Sequence, residues 1–403
     1  MQYILLRAKS QSSGSRVRAS RFDVAQHEIG IETFKLTAAE IADARRDDSL
    51  LAMAPPMPMS YPRVPERLSS FSPTGTDRES SWGILAVRAN ESVLSGEGVA
   101  VAVLDTGICE QFEGLEAFEH IADRMIIKNF TRDVPQDTDG HGTHCAGTIF
   151  GRTAGGSRIG VASGVSKAII GKVLGKGGGS SETIAAAIQW AAVEQGANVI
   201  SMSLGMDFPG YAKQLTDNGV PADLATSTAL SAYVENVEVF RQLSDWLLAR
   251  DLIGGGTLLV AAAGNESRRH ISPDYSIQVA PPAAAKGVVS VSAIGRGNDS
   301  ETGTAAEGQD YSIAWFSNHG ATIAAPGVSI VSAGLDGSPT LMSGTSMAAP
   351  HVAGLAALWG QRLMNDTGRI QASEVKTRLC GAGTKLDNIR TADAVFGMAT
   401  SPL

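Results

Sequence analysis

No stretch of this chain approaches the roughly 18 consecutive apolar residues that a membrane-crossing helix needs. Aromatic residues are scarce, 5% against 43% hydrophobic overall, so any core must be aliphatic and rich in small side chains. Only three cysteines occur, Cys109, Cys145 and Cys380, which excludes a disulfide framework. Basic residues number 33 against 41 acidic ones, for a net charge of −8. No basic cluster with interleaved aromatics stands out, so nucleic acid is not an expected partner, and the acidity serves solubility. The opening MQYILLRAKS has too short an apolar stretch for a secretory signal, and with so few cysteines a reducing, cytoplasmic setting is expected. An HExxH metal motif is missing, and no GK[ST] follows the glycine run Gly177-Gly178-Gly179 that would make it a phosphate loop. Internal repeats and coiled-coil heptads are also absent. What remains is a chain of 403 residues with 45 glycines, enough for a large core and two domains, and suited to a parallel sheet with tight turns.

Four segments carry chemistry. GTSMAAPHVAGLAAL, Gly344 to Leu358, sets Ser346 where a glycine turn breaks into a small-residue helix. A serine there either caps the helix or acts as a nucleophile, and the second use needs a base and an oxyanion site. GVAVAVLDTGI, Gly98 to Ile108, is a continuous apolar run ending in Asp105. Such a run reads as a strand buried on both faces, and its carboxyl end is where open α/β sheets keep their sites; an isolated Asp-Thr-Gly would otherwise be a turn or cap. DGHGTHCAGTI, Asp139 to Ile149, sets His141 between two glycines that leave its ring accessible, with His144 near the same helical face. LLVAAAGNES, Leu258 to Ser267, is another apolar strand, ending in Gly264-Asn265, which alone would read as a turn.

Taken together and in this chain order, the Asp-Thr-Gly, His-Gly-Thr-His and Gly-Thr-Ser-Met-Ala-Ala-Pro segments resemble the subtilisin-like serine proteases. The resemblance runs from about Trp82 to the end of the chain. It implies an α/β fold of three layers with a mostly parallel central sheet, and a serine endopeptidase working through an acyl-enzyme. Asp105, His141 and Ser346 would be the triad: His141 takes the serine proton and returns it to the leaving amine, and Asp105 fixes the imidazole tautomer. The Asn265 amide and the Ser346 N–H would form the oxyanion hole. Thr345 either adds a hydroxyl contact or packs where the helix starts. Gly177, Gly178 and Gly179 would form one substrate edge and Ser203, Leu204 and Gly205 the other, holding a polypeptide substrate as a strand between them. His270, His319 and His351 match no catalytic position and read as surface or packing residues.

Before that region lie a strand candidate MQYILLRA, a second strand IGIETFKL, and a helix TAAEIADARRDD opening on a capping box of Thr37 and Glu40. SLLAMAPPMPMSYPRVPE is then extended, because proline continues neither a helix nor a central strand. This order resembles the family's inhibitory propeptide, a small α+β domain at residues 1–66 joined by a linker at 67–81 to a catalytic domain at 82–403. The segment Ala54 to Tyr61 would enter the cleft as an intramolecular inhibitor, with self-cleavage between there and Ser81; an ordinary N-terminal extension is the alternative. Two departures from the family stand out. Residues 206–250 carry an extra, helical-looking stretch, read as a lid, a pocket wall, a docking surface or an inert insertion. RTAGGSRIGVASG lacks the family's asparagine-rich calcium loop, so a structural calcium stays open with no evident ligand set, and the triad chemistry that the resemblance implies requires no cofactor. Cys109 and Cys145 lie close in sequence to Asp105 and His141; they are metal ligands, redox handles or buried small hydrophobes. Beside the endopeptidase stand two alternatives, a dedicated processing protease for one partner or precursor and a catalytically silent peptide-binding module.

Overall fold

The structure, a computed structural model, describes residues 2–9, 28–62, 80–297, 311–387 and 389–403. Most of the linker at 67–81 therefore lies outside the described residues. At the N-terminus, β1 (Gln2–Lys9) pairs antiparallel with both β2 (Glu28–Lys35) and β3 (Leu50–Ala54). The alternation along β1 sets its two faces: Tyr3 and Leu5 pack with Ala44 and Met53, while Leu6 turns toward the main body. Between β2 and β3 runs α1 (Ala38–Ala44), whose start is the expected capping box: Thr37 Oγ1 accepts from the Glu40 N–H at 3.3 Å and Glu40 Oε2 accepts from the Thr37 N–H at 2.8 Å. Such a cap stabilises a helix by about 1 kcal/mol, which matters for a helix of only seven residues. A short strand β4 (Pro58–Ser60) then leaves this unit.

From α2 (Trp82–Ala86) onward the chain alternates strands and helices: β5 (Ala100–Asp105), β6 (Met125–Asn129), α3 (His141–Phe150), the small pair β7 (Thr153–Ala154) and β8 (Ser157–Arg158), β9 (Lys167–Lys172), β10 (Gly179–Ser180), α4 (Ser181–Gln189), β11 (Val199–Met202), β12 (Gly205–Met206), α5 (Phe208–Asp217) and α6 (Ala222–Ala249). It continues through β13 (Leu258–Ala262), β14 (Val289–Arg296), β15 (Tyr311–Ile313), β16 (Ile323–Pro326), β17 (Ile330–Ala333), β18 (Pro339–Met342), α7 (Thr345–Thr367) and α8 (Ala372–Gly381). The central sheet runs β15-β14-β13-β11-β5-β9-β6, with β16 beside β14. Every pairing in it is parallel except β14–β15.

Both faces of this sheet are covered, as an uninterrupted apolar strand requires. Along β5, Val101 and Val103 enter the core shared with α3 and α7, while Ala102 and Leu104 enter the one shared with α4 and α6. The result is the three-layer α/β arrangement expected from the sequence. Leu6, Ile29, Ala52 and Ala54 of the N-terminal unit join the second core, so that unit sits on the α4–α6 side.

The stretch at 206–250 is packed into the fold. Asp207 caps α5 through the Gly210 N–H at 2.8 Å. The 28-residue α6 buries Ala225, Ala229, Ala232, Val239, Phe240 and Leu243, an i, i+4 pattern facing the sheet and β3. Asn236 Nδ2 on α6 donates to the Pro55 carbonyl at 2.9 Å, and Glu235 pairs with Arg45 at 3.0 Å. The stretch thus forms a seat for the N-terminal unit. Among the described residues no helix is long and apolar enough to cross a membrane.

Candidate active site

β5 ends on Asp105, and α3 begins on His141, because parallel strands and the helices that follow them deliver their ends to one rim of the sheet. Asp105 is 1% and His141 5% exposed. Nδ1 of His141 lies 2.7 Å from Oδ1 of Asp105. The Thr106 N–H also donates to that oxygen at 2.7 Å, and the Thr106 hydroxyl accepts from the Gly142 N–H at 2.8 Å. Gly142 has no Cβ for a reason: one placed there would lie 2.4 Å from the Gly107 carbonyl, so the helix could not approach the Asp-Thr-Gly turn. Burial is the strongest influence on His141 and works against its charged form, but the Asp105 carboxylate and the Cys145 sulfur together outweigh it and hold the imidazole pKa well above its ordinary value. His141 Nε2 is buried with no hydrogen-bond partner among the described residues.

Ser346 is the second residue of α7. Its hydroxyl is 3.4 Å from the Ser203 carbonyl, and no hydrogen bond joins it to His141 Nε2. The backbone around it is shaped by Pro350, four residues on. Proline has no N–H to return to the Ser346 carbonyl, which is therefore taken by the Ser203 hydroxyl at 2.8 Å and the Cys145 thiol at 3.4 Å. Cys145 Sγ is in turn 4.0 Å from His141 Nδ1, so one buried sulfur touches both the serine's backbone and the imidazole.

Asn265 follows β13. Its Oδ1 accepts from the Thr345 N–H and hydroxyl, both at 2.9 Å, while the Thr345 hydroxyl also accepts from the Gly264 N–H at 3.1 Å. This fixes the amide so that Nδ2 points outward. Nδ2 donates to the carbonyl of Pro62 at 2.7 Å. The Ser346 N–H does not share that carbonyl. Thr345 is thus the residue that orients Asn265, a role the sequence left open between hydroxyl contact and packing.

The segment that brings Pro62 here is β4, the middle strand of a three-stranded antiparallel sheet. Met59 and Pro58 face Gly179 and Ser180 of β10, and Ser60 and Met59 face Gly205 and Met206 of β12. Gly179 and Gly205 thus lie on the two strands that flank β4. Gly177 and Gly178 instead lie in the turn before β10, along the cleft wall, where a Cβ on Gly178 would come within 2.6 Å of the Met59 carbonyl. Ser203 touches Ser346, and the Leu204 side chain is turned into the core rather than the cleft. Tyr61 stacks on the His141 ring at 4.4 Å between centroids, and its hydroxyl donates to Asp139 at 2.9 Å. Beside Pro62 opens a cleft of about 840 Å³, lined among others by Phe208, Tyr233, Gly264, Glu266 and Gln278. Burial pushes the Glu266 carboxyl above its ordinary range; it accepts from Asn318 Nδ2 at 2.6 Å.

The other candidates are structural. His144 Nε2 donates to the carbonyls of Ile330 and Thr340, at 2.9 and 3.1 Å, and burial drives its pKa down to about 3, so it stays neutral. His351 lies in α7 with Nδ1 on the Met347 carbonyl at 2.8 Å, and burial lowers it to about 4. His270 lies edge-on to Trp315, with ring centroids 4.2 Å apart. The three cysteines are free and buried, and burial raises the pKa of each, Cys109 to about 11. Among the described residues a single group of three close metal-ligating side chains occurs, Asp105, His141 and Cys145. Its mixed N, S and single-carboxylate donors do not fit calcium, which takes six to eight oxygens.

A buried Asp–His pair, a serine at a helix start beside it and an oriented amide, all on the carboxyl rim of a parallel sheet, define the arrangement of a serine-type hydrolase site. The sequence profile of the subtilase family matches residues 96–398, and the chain belongs to that family. It is 33% identical over 307 residues to Subtilisin-like protease 3 of Pseudogymnoascus destructans, covering 72% of this chain and 59% of that protein. It is 31% identical over 322 residues to a subtilisin of Bacillus sp. (strain TA39), covering 74% and 65%. Subtilisin DY of Bacillus licheniformis is 29% identical over 310 residues, covering 76% and 92%. The chain thus spans about three fifths of the first of these relatives and just under two thirds of the second.

Proposed function

We propose that this protein is a serine endopeptidase that hydrolyses extended polypeptide segments, held latent by its own N-terminal unit. The observation that carries the reading is the Pro62 carbonyl: it accepts from Asn265 while its segment lies as a strand between β10 and β12, over the Asp105–His141 pair. A main-chain carbonyl so placed is where a substrate carbonyl must sit when charge develops on its oxygen.

In the proposed reaction the Ser346 hydroxyl swings from the Ser203 carbonyl toward His141 by rotation about its side-chain bond. The 3.4 Å contact it gives up is long and weak. Ser346 Oγ then attacks the carbonyl carbon, and its proton passes to His141 Nε2. Asp105 holds the ring by Nδ1 and stabilises the imidazolium. The tetrahedral oxyanion is met by Asn265 Nδ2 and by the Ser346 N–H at the positive end of α7. Collapse breaks the C–N bond, and His141 gives its proton to the leaving nitrogen. Water then cleaves the acyl-enzyme by the same steps.

The Pro62 carbonyl on Asn265 supports the bond that follows Pro62 as the site of self-cleavage. Tyr61 over the imidazole and a proline on the acyl side favour a segment that occupies the cleft. The N-terminal unit is then both inhibitor and first substrate. A silent peptide-binding module is the competing reading, and it draws on the unmade Ser346–His141 hydrogen bond.

Asn265→Ala separates the two. Removal of one such donor costs about 3–4 kcal/mol of barrier, so kcat on a peptide substrate should fall about 100- to 1,000-fold with KM little changed. A binding-only module would show no turnover in either protein.

A further inference from the structure

Lys172 ends β9 directly across the ladder from Asp105, and it is 2% exposed. Its ammonium donates to the Thr106 carbonyl at 2.9 Å and to the Gln136 carbonyl at 2.8 Å. Among the described residues no carboxylate lies within 4.0 Å of it. A buried cation satisfied only by neutral carbonyls is costly, and a methyl-ended side chain of similar length would fill the space at less cost. The two carbonyls show what the charge holds. Thr106 is the residue whose N–H bonds Asp105 Oδ1 and whose hydroxyl bonds Gly142 beside His141. Gln136 precedes Asp137, which accepts from the N–H groups of Asp139, Gly140 and Thr143 and so caps the helix that carries His141. One ammonium therefore ties the turn after Asp105 to the turn before His141. Asp105 Oδ2, meanwhile, is buried with no hydrogen-bond partner of its own.

We propose that Lys172 is a positioning residue for the Asp105–His141 pair: its ammonium fixes the turn after Asp105 and the turn before His141 against each other. The proposal rests on the reading of Asp105 and His141 as working partners. The charged and titratable groups facing the pair are Lys172 on β9, Asp137 before α3, Cys145 and His144 on α3, and Tyr61 from the N-terminal segment.

The test is made on the full chain with Lys172→Met, Lys172→Gln and Lys172→Arg, the glutamine variant serving should the methionine one fail to fold. In a Ser346→Ala background, ring NMR of His141 reads the imidazole directly, without any need for turnover. Loosening of the Asp105–His141 contact should lower the His141 pKa by about 0.5 or more in the neutral variants, and arginine should restore it. With Ser346 present, kcat on a peptide substrate should fall about 10- to 100-fold in the neutral variants, KM should stay within about twofold, and arginine should recover most of the rate. A His141 pKa that is unchanged or raised in both neutral variants overturns the proposal, as does a loss expressed in KM alone. If wild-type protein hydrolyses no peptide while the His141 pKa still responds to Lys172, the endopeptidase reading fails and the positioning role stands.

Discussion

Ser346→Ala should lower peptide hydrolysis by about a million-fold, to the residual rate that an oxyanion site and binding alone provide. The magnitude follows from the chemistry: with the hydroxyl gone, neither the acyl-enzyme nor the proton transfer to His141 Nε2 can occur. The fold should be unaffected. The lost oxygen makes one long contact, at 3.4 Å to the Ser203 carbonyl. The bonds that shape this helix start use the Ser346 carbonyl, Thr345 and Asn265, all of which alanine leaves in place. Circular dichroism and the thermal midpoint should match wild type. Intact mass should show the mutant keeping its N-terminal segment over an incubation in which wild type sheds it. A mutant that cuts at the wild-type rate would remove Ser346 from the mechanism.

The second large effect is expected from the N-terminal segment in the cleft. Met59 is 1% exposed, packed in the core beneath the cleft and paired on both sides by β10 and β12. Met59→Asp places a carboxylate where a full apolar side chain was buried. Losing that burial costs about 2 kcal/mol or more before the charge is counted, which corresponds to about a 30-fold shift toward an open cleft. The freshly purified full chain bearing Met59→Asp should therefore hydrolyse a short peptide about 30-fold faster at zero time than wild type. Surface charge changes on the N-terminal unit, such as Asp48→Asn, should not. Equal initial rates for Met59→Asp and wild type would mean that β4 does not control access.

Much of this site was legible in the sequence, and the limits of that legibility have physical causes. Asp105, His141, Asn265 and Ser346 each sit at a local junction, apolar strand into turn or glycine turn into helix, but it is their joint chain order and the family resemblance it carries that single them out. β5, β13 and α1 are legible because periodicity and capping are short-range properties. Relations between distant segments are not. Thr345 orients Asn265 across 80 positions of chain, and Cys145 bridges His141 to a carbonyl freed by Pro350. Lys172 has no local signature in the sequence that sets it apart. The sequence places the N-terminal tail in the cleft, but the register, with Pro62 on Asn265 and Tyr61 on His141, is set by pairing with two edges more than 100 residues away. The stretch at 206–250 is legible as helical, while its seat for Pro55 and Arg45 emerges only when the two units are packed together.

The account depends on one hydroxyl becoming a nucleophile beside a buried imidazole. Treating the Met59→Asp protein with a phosphonofluoridate, then mapping the modified peptide by mass spectrometry, tests this directly. The expected result is one adduct per chain, on Ser346, lost in step with peptidase activity and absent when His141 is replaced by alanine. Full activity persisting without an adduct on Ser346, or labelling that does not require His141, would contradict it.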